Sequence, residues 1–211
     1  STKRDFNEIF FHGKQHQSEV EEVLKKFGSK LAMLGFGKCD LNFISIPSTV
    51  INAWLNYAKN LTHLNTANIK MTGSSDQNMI LLRNLKKLLC DDNLLTVIYA
   101  PALQKLKVYS TDSLTGLKLD AMNAFLTRHH LIKYFAFTLY NGEDVEVQNC
   151  SFSLAHLKLK ILRLLEFRYD VNAVTNILKS QHDLIELKLE DGAYSESYED
   201  STRVASFTPL F

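Results

Sequence analysis

Seven histidines, three cysteines and 23 acidic residues give this 211-residue chain material for catalysis or metal binding, so their spacing decides what they can do. His129 and His130 are adjacent, but no Cys or Asp stands at metal-ligand spacing from them, and a solvated turn between a helix and a strand accounts for the pair. Gly35-Phe36-Gly37 lacks the third glycine and the strand-to-helix setting of a phosphate loop. No serine occupies a Gly-x-Ser-x-Gly elbow. Cys39, Cys90 and Cys150 are odd in number and far apart, as expected in a reducing compartment, and Cys39 and Cys90 read as small buried side chains. The sequons at Asn60-Leu61-Thr62 and Asn149-Cys150-Ser151 would matter only in the secretory pathway. The chain reads as a non-enzyme without catalytic residues, metal or cofactor, placed inside the cell in cytoplasm or nucleus.

What remains is recognition. Lys105, Lys107, Tyr109, Tyr134 and Arg163, with Leu165 and Lys188, mix cations with aromatic and apolar groups, a combination enriched at protein interfaces. A partner for them is expected to carry acidic side chains or a phosphate. These residues recur at alternate positions within short apolar segments, so the elements that position them are strands.

The segments repeat. Leu31-x-x-Leu34-x-Phe36-x-x-Cys39-x-Leu41 places apolar residues at positions 1, 4, 6, 9 and 11, the signature of a leucine-rich repeat. The spacing returns at Leu61, Leu64, Thr66, Ile69 and Met71, and at Leu85, Leu88, Cys90, Asn93 and Leu95. It continues at Leu103, Leu106 and Val108; at Ile132, Phe135, Phe137 and Tyr140; at Leu159, Leu162, Leu164 and Phe167; and at Leu184, Leu187 and Leu189. Successive starts lie 30, 24, 18, 29, 27 and 25 residues apart, within the range of a strand-plus-helix repeat. The expectation is an α/β leucine-rich repeat solenoid: one domain over residues 1–211, about seven or eight irregular repeats, curved as a horseshoe with parallel strands on the concave face and helices and turns on the convex face.

Positions 4 and 6 of each repeat then point inward, and positions 3, 5 and 7 line the concave face. That face carries Met33, Gly35 and Gly37; His63, Asn65 and Ala67; and Lys87, Leu89 and Asp91 on its early strands. Later strands add Tyr109 beside Lys105 and Lys107, then Tyr134, Ala136 and Thr138, then Ile161, Arg163 and Leu165, then Glu186, Lys188 and Glu190. The fifth repeat could be read from Leu131, which would reverse its faces; Ile132 is preferred because it buries Phe135 and Phe137.

Return segments are helical where legible. Ser18-x-x-Glu21 forms a capping box ahead of Val20, Val23, Leu24 and Phe27, with Gly28 as the stop. Pro47 and Ser48 precede the stripe Val50, Ile51, Trp54, Leu55 and Ala58, and Val171, Val174, Ile177 and Leu178 make another. The short third step, 18 residues from Leu85 to Leu103, leaves room only for an extended or single-turn link around Pro101. Phe6, Ile9 and Phe11 fit a leading strand; residues 191–211 read as an acidic loop that covers the last strand, with Ala205, Phe207 and Leu210 in a possible final strand.

A net charge of +1, from 24 basic and 23 acidic residues, gives no overall field to draw in nucleic acid or an anionic membrane. No apolar run approaches bilayer length, and the sequence contains no charged-then-apolar leader with a small-residue cleavage site, so neither class of partner is expected.

The irregular repeats, the strand starts Leu61-Thr62-His63-Leu64 and Leu85-Lys86-Lys87-Leu88, the stretch Lys25-Lys26-Phe27-Gly28-Ser29-Lys30-Leu31, and Leu178-Lys179-Ser180-Gln181 before Leu184-Ile185-Glu186-Leu187 resemble the repeat region of F-box proteins, especially the divergent insect type. The likeness covers most of residues 6–190. It implies the target-recognition part of a cullin-type ubiquitin ligase receptor, whose adaptor and cullin would be met only through an F-box missing from this chain. The Leu-Pro-x-Glu-like motif of that box occurs nowhere, and the opening at Ser1 suits a segment just beyond it. The alternatives are a repeat scaffold or adaptor with no ubiquitin role and a GTPase activator, for which Arg163 is the nominal arginine.

Overall fold

The computed structural model describes residues 7–12, 16–36, 44–67, 69–73, 79–110, 116–139, 152–165, 171–190 and 204–207. Cys39, Leu41, Gly37, Tyr140, Cys150, Phe167, the acidic run from Asp191, and the Phe6 and Leu210 readings lie outside them. The chain is a mixed α/β protein whose contacts divide it into two compact units, Ser1–Leu103 and Gln104–Phe211.

In the first unit the strands β1 (Glu8–Phe11), β2 (Met33–Phe36), β4 (His63–Asn65) and β7 (Lys87–Asp91) pair side by side in parallel. Their register aligns Ile9, Leu34, Leu64 and Leu88 in one row, and the last three of these are buried. Parallel neighbours need a crossover, and the helices α1 (Gln17–Phe27) and α2 (Ser48–Tyr57) supply the first two. Helix α1 buries Val20 and Leu24, one turn apart, and packs against α2, which buries Ile51, Trp54 and Leu55. Phe11, Phe36 and Trp54 stack in sequence at 5.4 Å and 5.6 Å between ring centres, tying β1 and β2 to α2.

Helix α1 begins one residue before the expected cap: His16 is the N-cap, and its backbone N–H donates to Glu19, so Ser18 lies inside the first turn. Gly28 does end the helix, though in a right-handed conformation that runs into a 3-10 turn over Gly28–Lys30. Its lack of a side chain serves packing instead: a Cβ there would stand 2.7 Å from the Tyr57 carbonyl oxygen. Behind the main strands, β3 (Ile44–Pro47) pairs with β5 (Ile69–Thr72), and β6 (Ile80–Leu81) with β8 (Ile98–Tyr99). The short third step is crossed by a 3-10 turn at Asp92–Thr96 followed by β8, so the single turn precedes Pro101.

In the second unit β9 (Lys105–Ser110), β10 (Tyr134–Leu139), β11 (Ile161–Leu165) and β12 (Glu186–Glu190) are again parallel neighbours. The strand β13 (Val204–Phe207) runs antiparallel against β12, so the final strand expected at Ala205 and Phe207 is present. The inward rows are Leu106, Phe135, Leu162 and Leu187, then Val108, Phe137, Leu164 and Leu189. Ile132 is fully buried and Leu131 is 43% exposed, which settles the register of the fifth repeat in favour of Ile132. Helix α3 (Gly116–Arg128) was not read from the sequence, although Met122, Phe125 and Leu126 bury a stripe at helical spacing. Helix α4 (Val171–Ser180) stands where its periodicity placed it.

One hydrogen-bond device recurs at the repeat starts of both units. The N–H of the first repeat residue donates to the carbonyl three residues earlier: Leu31 to Gly28, Leu61 to Ala58, Leu85 to Leu82, Leu103 to Ala100, Ile132 to His129 and Leu184 to Gln181. Laterally, the carbonyl of the second repeat residue accepts from two consecutive N–H groups of the next repeat. Ala32 accepts from Thr62 and His63, Thr62 from Lys86 and Lys87, Gln104 from Lys133 and Tyr134, Lys133 from Lys160 and Ile161, and Lys160 from Ile185 and Glu186. Within each unit these neighbouring repeats thereby satisfy one another's backbone at the same place.

Candidate functional site

The residues singled out for recognition lie on the outward face of the second unit, and the register puts them in three rows. Lys105, Tyr134, Ile161 and Glu186 form the first; Lys107, Ala136, Arg163 and Lys188 the second; Tyr109, Thr138, Leu165 and Glu190 the third. In β9 and β11 half-exposed and buried residues alternate, as one packed face and one open face require. On β10 both faces are buried beyond Tyr134: Ala136 and Thr138 are short side chains flanked in their rows by Lys107 and Arg163 and by Tyr109 and Leu165.

Tyr134 is the centre of the cluster. The Lys105 ammonium stands 4.3 Å from its ring centre, and Lys107 and Arg163 both lie at 5.7 Å, within the reach of cation–π attraction. The cations differ in how they are held. Arg163 Nε donates to Glu186 Oε1 at 2.6 Å, a diagonal contact between β11 and β12, and Glu186 raises the guanidinium above its ordinary pKa. Lys188 pairs with Glu190 at 2.9 Å. Among the described residues Lys105 and Lys107 have no carboxylate partner. Sequence alternation placed Glu186 on this face; its grip on Arg163 was not foreseen, because the pairing depends on register across two strands. An arginine already held by a carboxylate is poorly placed to reach a nucleotide.

The corresponding face of the first unit is different. Phe10 covers Gly35, where a Cβ would come within 2.5 Å of its ring, so this position is closed and not open as expected. Asp91, also expected to face outward, is buried. Its carboxylate accepts from the Asn93 N–H at 2.9 Å and the Asn93 amide at 2.8 Å, capping the 3-10 turn. Burial, with Asp92 beside it, pushes the Asp91 pKa up to about 6. Cys90 is buried as expected, and burial raises its thiol pKa.

His129 corrects the reading of the histidine pair. His130 is exposed, but His129 is 1% exposed, stacked on Phe125 at 3.9 Å, with Nδ1 2.6 Å from the Phe125 carbonyl. It occupies the position three before a repeat start, where Gly28, Ala58, Leu82, Ala100 and Gln181 are also buried and His156 is exposed. Desolvation lowers its pKa, against the Phe125 carbonyl, which favours the charged form. Among the described residues no group of three or more His, Cys, Asp or Glu could hold a metal ion, and no helix is long and apolar enough to cross a membrane.

No protein-family model, curated protein or solved structure matches the chain.

Proposed function

We propose that the chain is a leucine-rich repeat solenoid that binds a protein through its concave sheet face, as the target-recognition part of an F-box type ubiquitin ligase receptor acting in cytoplasm or nucleus. The recurring turn and lateral hydrogen bonds support the solenoid, since successive repeats supply and use the same backbone groups. The observation that carries binding is the gathering of Lys105, Lys107 and Arg163 around Tyr134 on an open sheet face. Rigid strands hold these side chains, and an aromatic ring flanked by long cations is the kind of surface on which binding energy concentrates. The ligase role rests on the resemblance of the repeat segments to those of F-box proteins.

Affinity purification of the intact protein from cells, with the ligase adaptor and the cullin scored by mass spectrometry, tests the role. Recovery of both supports the receptor. Recovery of other proteins with neither of them moves the function to a repeat scaffold without a ubiquitin role.

A further inference from the structure

We propose that the outward face of the second unit docks an acidic segment of its protein partner, with carboxylates seated on Lys105 and Lys107, while Glu186 withholds Arg163 from the same contact. The inference rests on the protein-binding reading above and names its chemistry.

The charges on the face are unequally committed. Arg163 and Lys188 already hold Glu186 and Glu190, whereas Lys105 and Lys107 lack a carboxylate partner among the described residues. Tyr134 draws both lysine heads towards one ring, which sets them side by side before a ligand arrives and reduces the ordering cost of binding. Exposed Lys133 and Lys160 stand immediately before β10 and β11, extending the cationic surface at the end of the strands where Lys105 and Tyr134 begin. A protein segment fits better than a nucleic acid. Regularly spaced phosphates would meet Glu186 and Glu190 on the same face, and the Tyr134 ring is occupied by an ammonium group and so is closed to base stacking.

The test is fluorescence anisotropy of a labelled oligoglutamate peptide with the full chain at low and physiological salt. Lys105→Ala/Lys107→Ala is expected to weaken binding about tenfold, and Glu186→Gln, which frees Arg163, to strengthen it about threefold. The charge-matched control Lys59→Ala/Lys179→Ala, at exposed sites off this face, leaves the affinity unchanged. Thermal melts followed by circular dichroism establish that each variant is folded, and Lys105→Gln/Lys107→Gln replaces the alanine pair if that variant is not. Loss of affinity in the control equal to that in the face variant overturns the inference, as does the absence of peptide binding at low salt. A single-stranded oligonucleotide that binds more tightly and is lost in the same face variant also overturns it. A cellular protein partner retained in full by Lys105→Ala/Lys107→Ala would remove this inference while leaving protein binding in place; the absence of any partner would remove both.

Discussion

The Gln181 side chain accepts a hydrogen bond from the Leu159 backbone N–H at 3.0 Å and donates from Nε2 to the Leu154 carbonyl at 2.7 Å, all in a buried setting. In six other repeats the N–H of the first residue is satisfied by the backbone three residues earlier. The sixth repeat lacks that bond and borrows an amide from the seventh. Gln181→Ala leaves the buried Leu159 N–H unpaired, while the Leu154 carbonyl keeps the Leu157 N–H, and is expected to cost about 1 to 3 kcal/mol, whereas Gln181→Glu restores only the acceptor. Urea denaturation of both variants checks this, and a loss below about 1 kcal/mol for the alanine variant would show that water replaces the amide.

Leu106 and Tyr109 lie on opposite faces of β9. Leu106 is fully buried, so Leu106→Ala is expected to destabilise the fold by about 2 to 5 kcal/mol through a cavity. Tyr109→Ala is expected to weaken partner binding with a stability loss within about 1 kcal/mol, because the residue stands on the outward row. Thermal melts alongside partner capture separate the two, and equal destabilisation would contradict the assigned faces.

Two glycines make a second contrast. A Cβ at Gly28 meets a backbone carbonyl, which cannot move without shifting α2, so Gly28→Ala is expected to cost about 1 to 3 kcal/mol. A Cβ at Gly35 meets the ring of Phe10, which is 46% exposed and can swing aside, so Gly35→Ala is expected to cost less than half as much. Chemical denaturation of the pair, compared with the wild type, ranks them.

Asp91 links stability to pH. Its folded pKa, about 6, exceeds the ordinary 3.8, so the folded chain holds the proton more tightly than the unfolded chain. The contribution is most favourable below that ordinary value and is lost as pH rises through about 6. Asp91→Asn keeps an oxygen for the Asn93 N–H without the charge. It is expected to be more stable than the wild type near pH 7 by about 1 to 2 kcal/mol, the gap closing near pH 4. Denaturation curves at the two pH values check this; an asparagine variant less stable at both would show that the cap depends on the charge.

Much of the strand pattern was legible because positions 4 and 6 of each repeat must be apolar to bury one face, and Leu34, Leu64, Leu88, Leu106, Phe135 and Leu162 are all buried in that register. The three outward rows followed from the same alternation. Helix α3 was missed because its segment opens on Gly116 and places Lys118 and Asp120 among its first residues before Met122, Phe125 and Leu126 appear, which dilutes the stripe. His129 was misplaced because the position three before a repeat start, buried in six of the seven repeats and exposed at His156, holds glycine, alanine, leucine, histidine and glutamine, a set with no shared hydropathy. Asp91 and Gly35 looked outward by alternation alone, but a turn cap and the Phe10 ring enclosed them, contacts that depend on neighbouring repeats.

The most direct measurement compares the proteins recovered from cells with the wild-type chain, with Lys105→Glu/Lys107→Glu, and with the off-face control Lys59→Glu/Lys179→Glu. A partner bound through the second unit's outward face is recovered by the wild type and the control and lost with the face variant, all three being equally folded. Recovery of the same partners by all three would contradict the assignment of that face to partner binding.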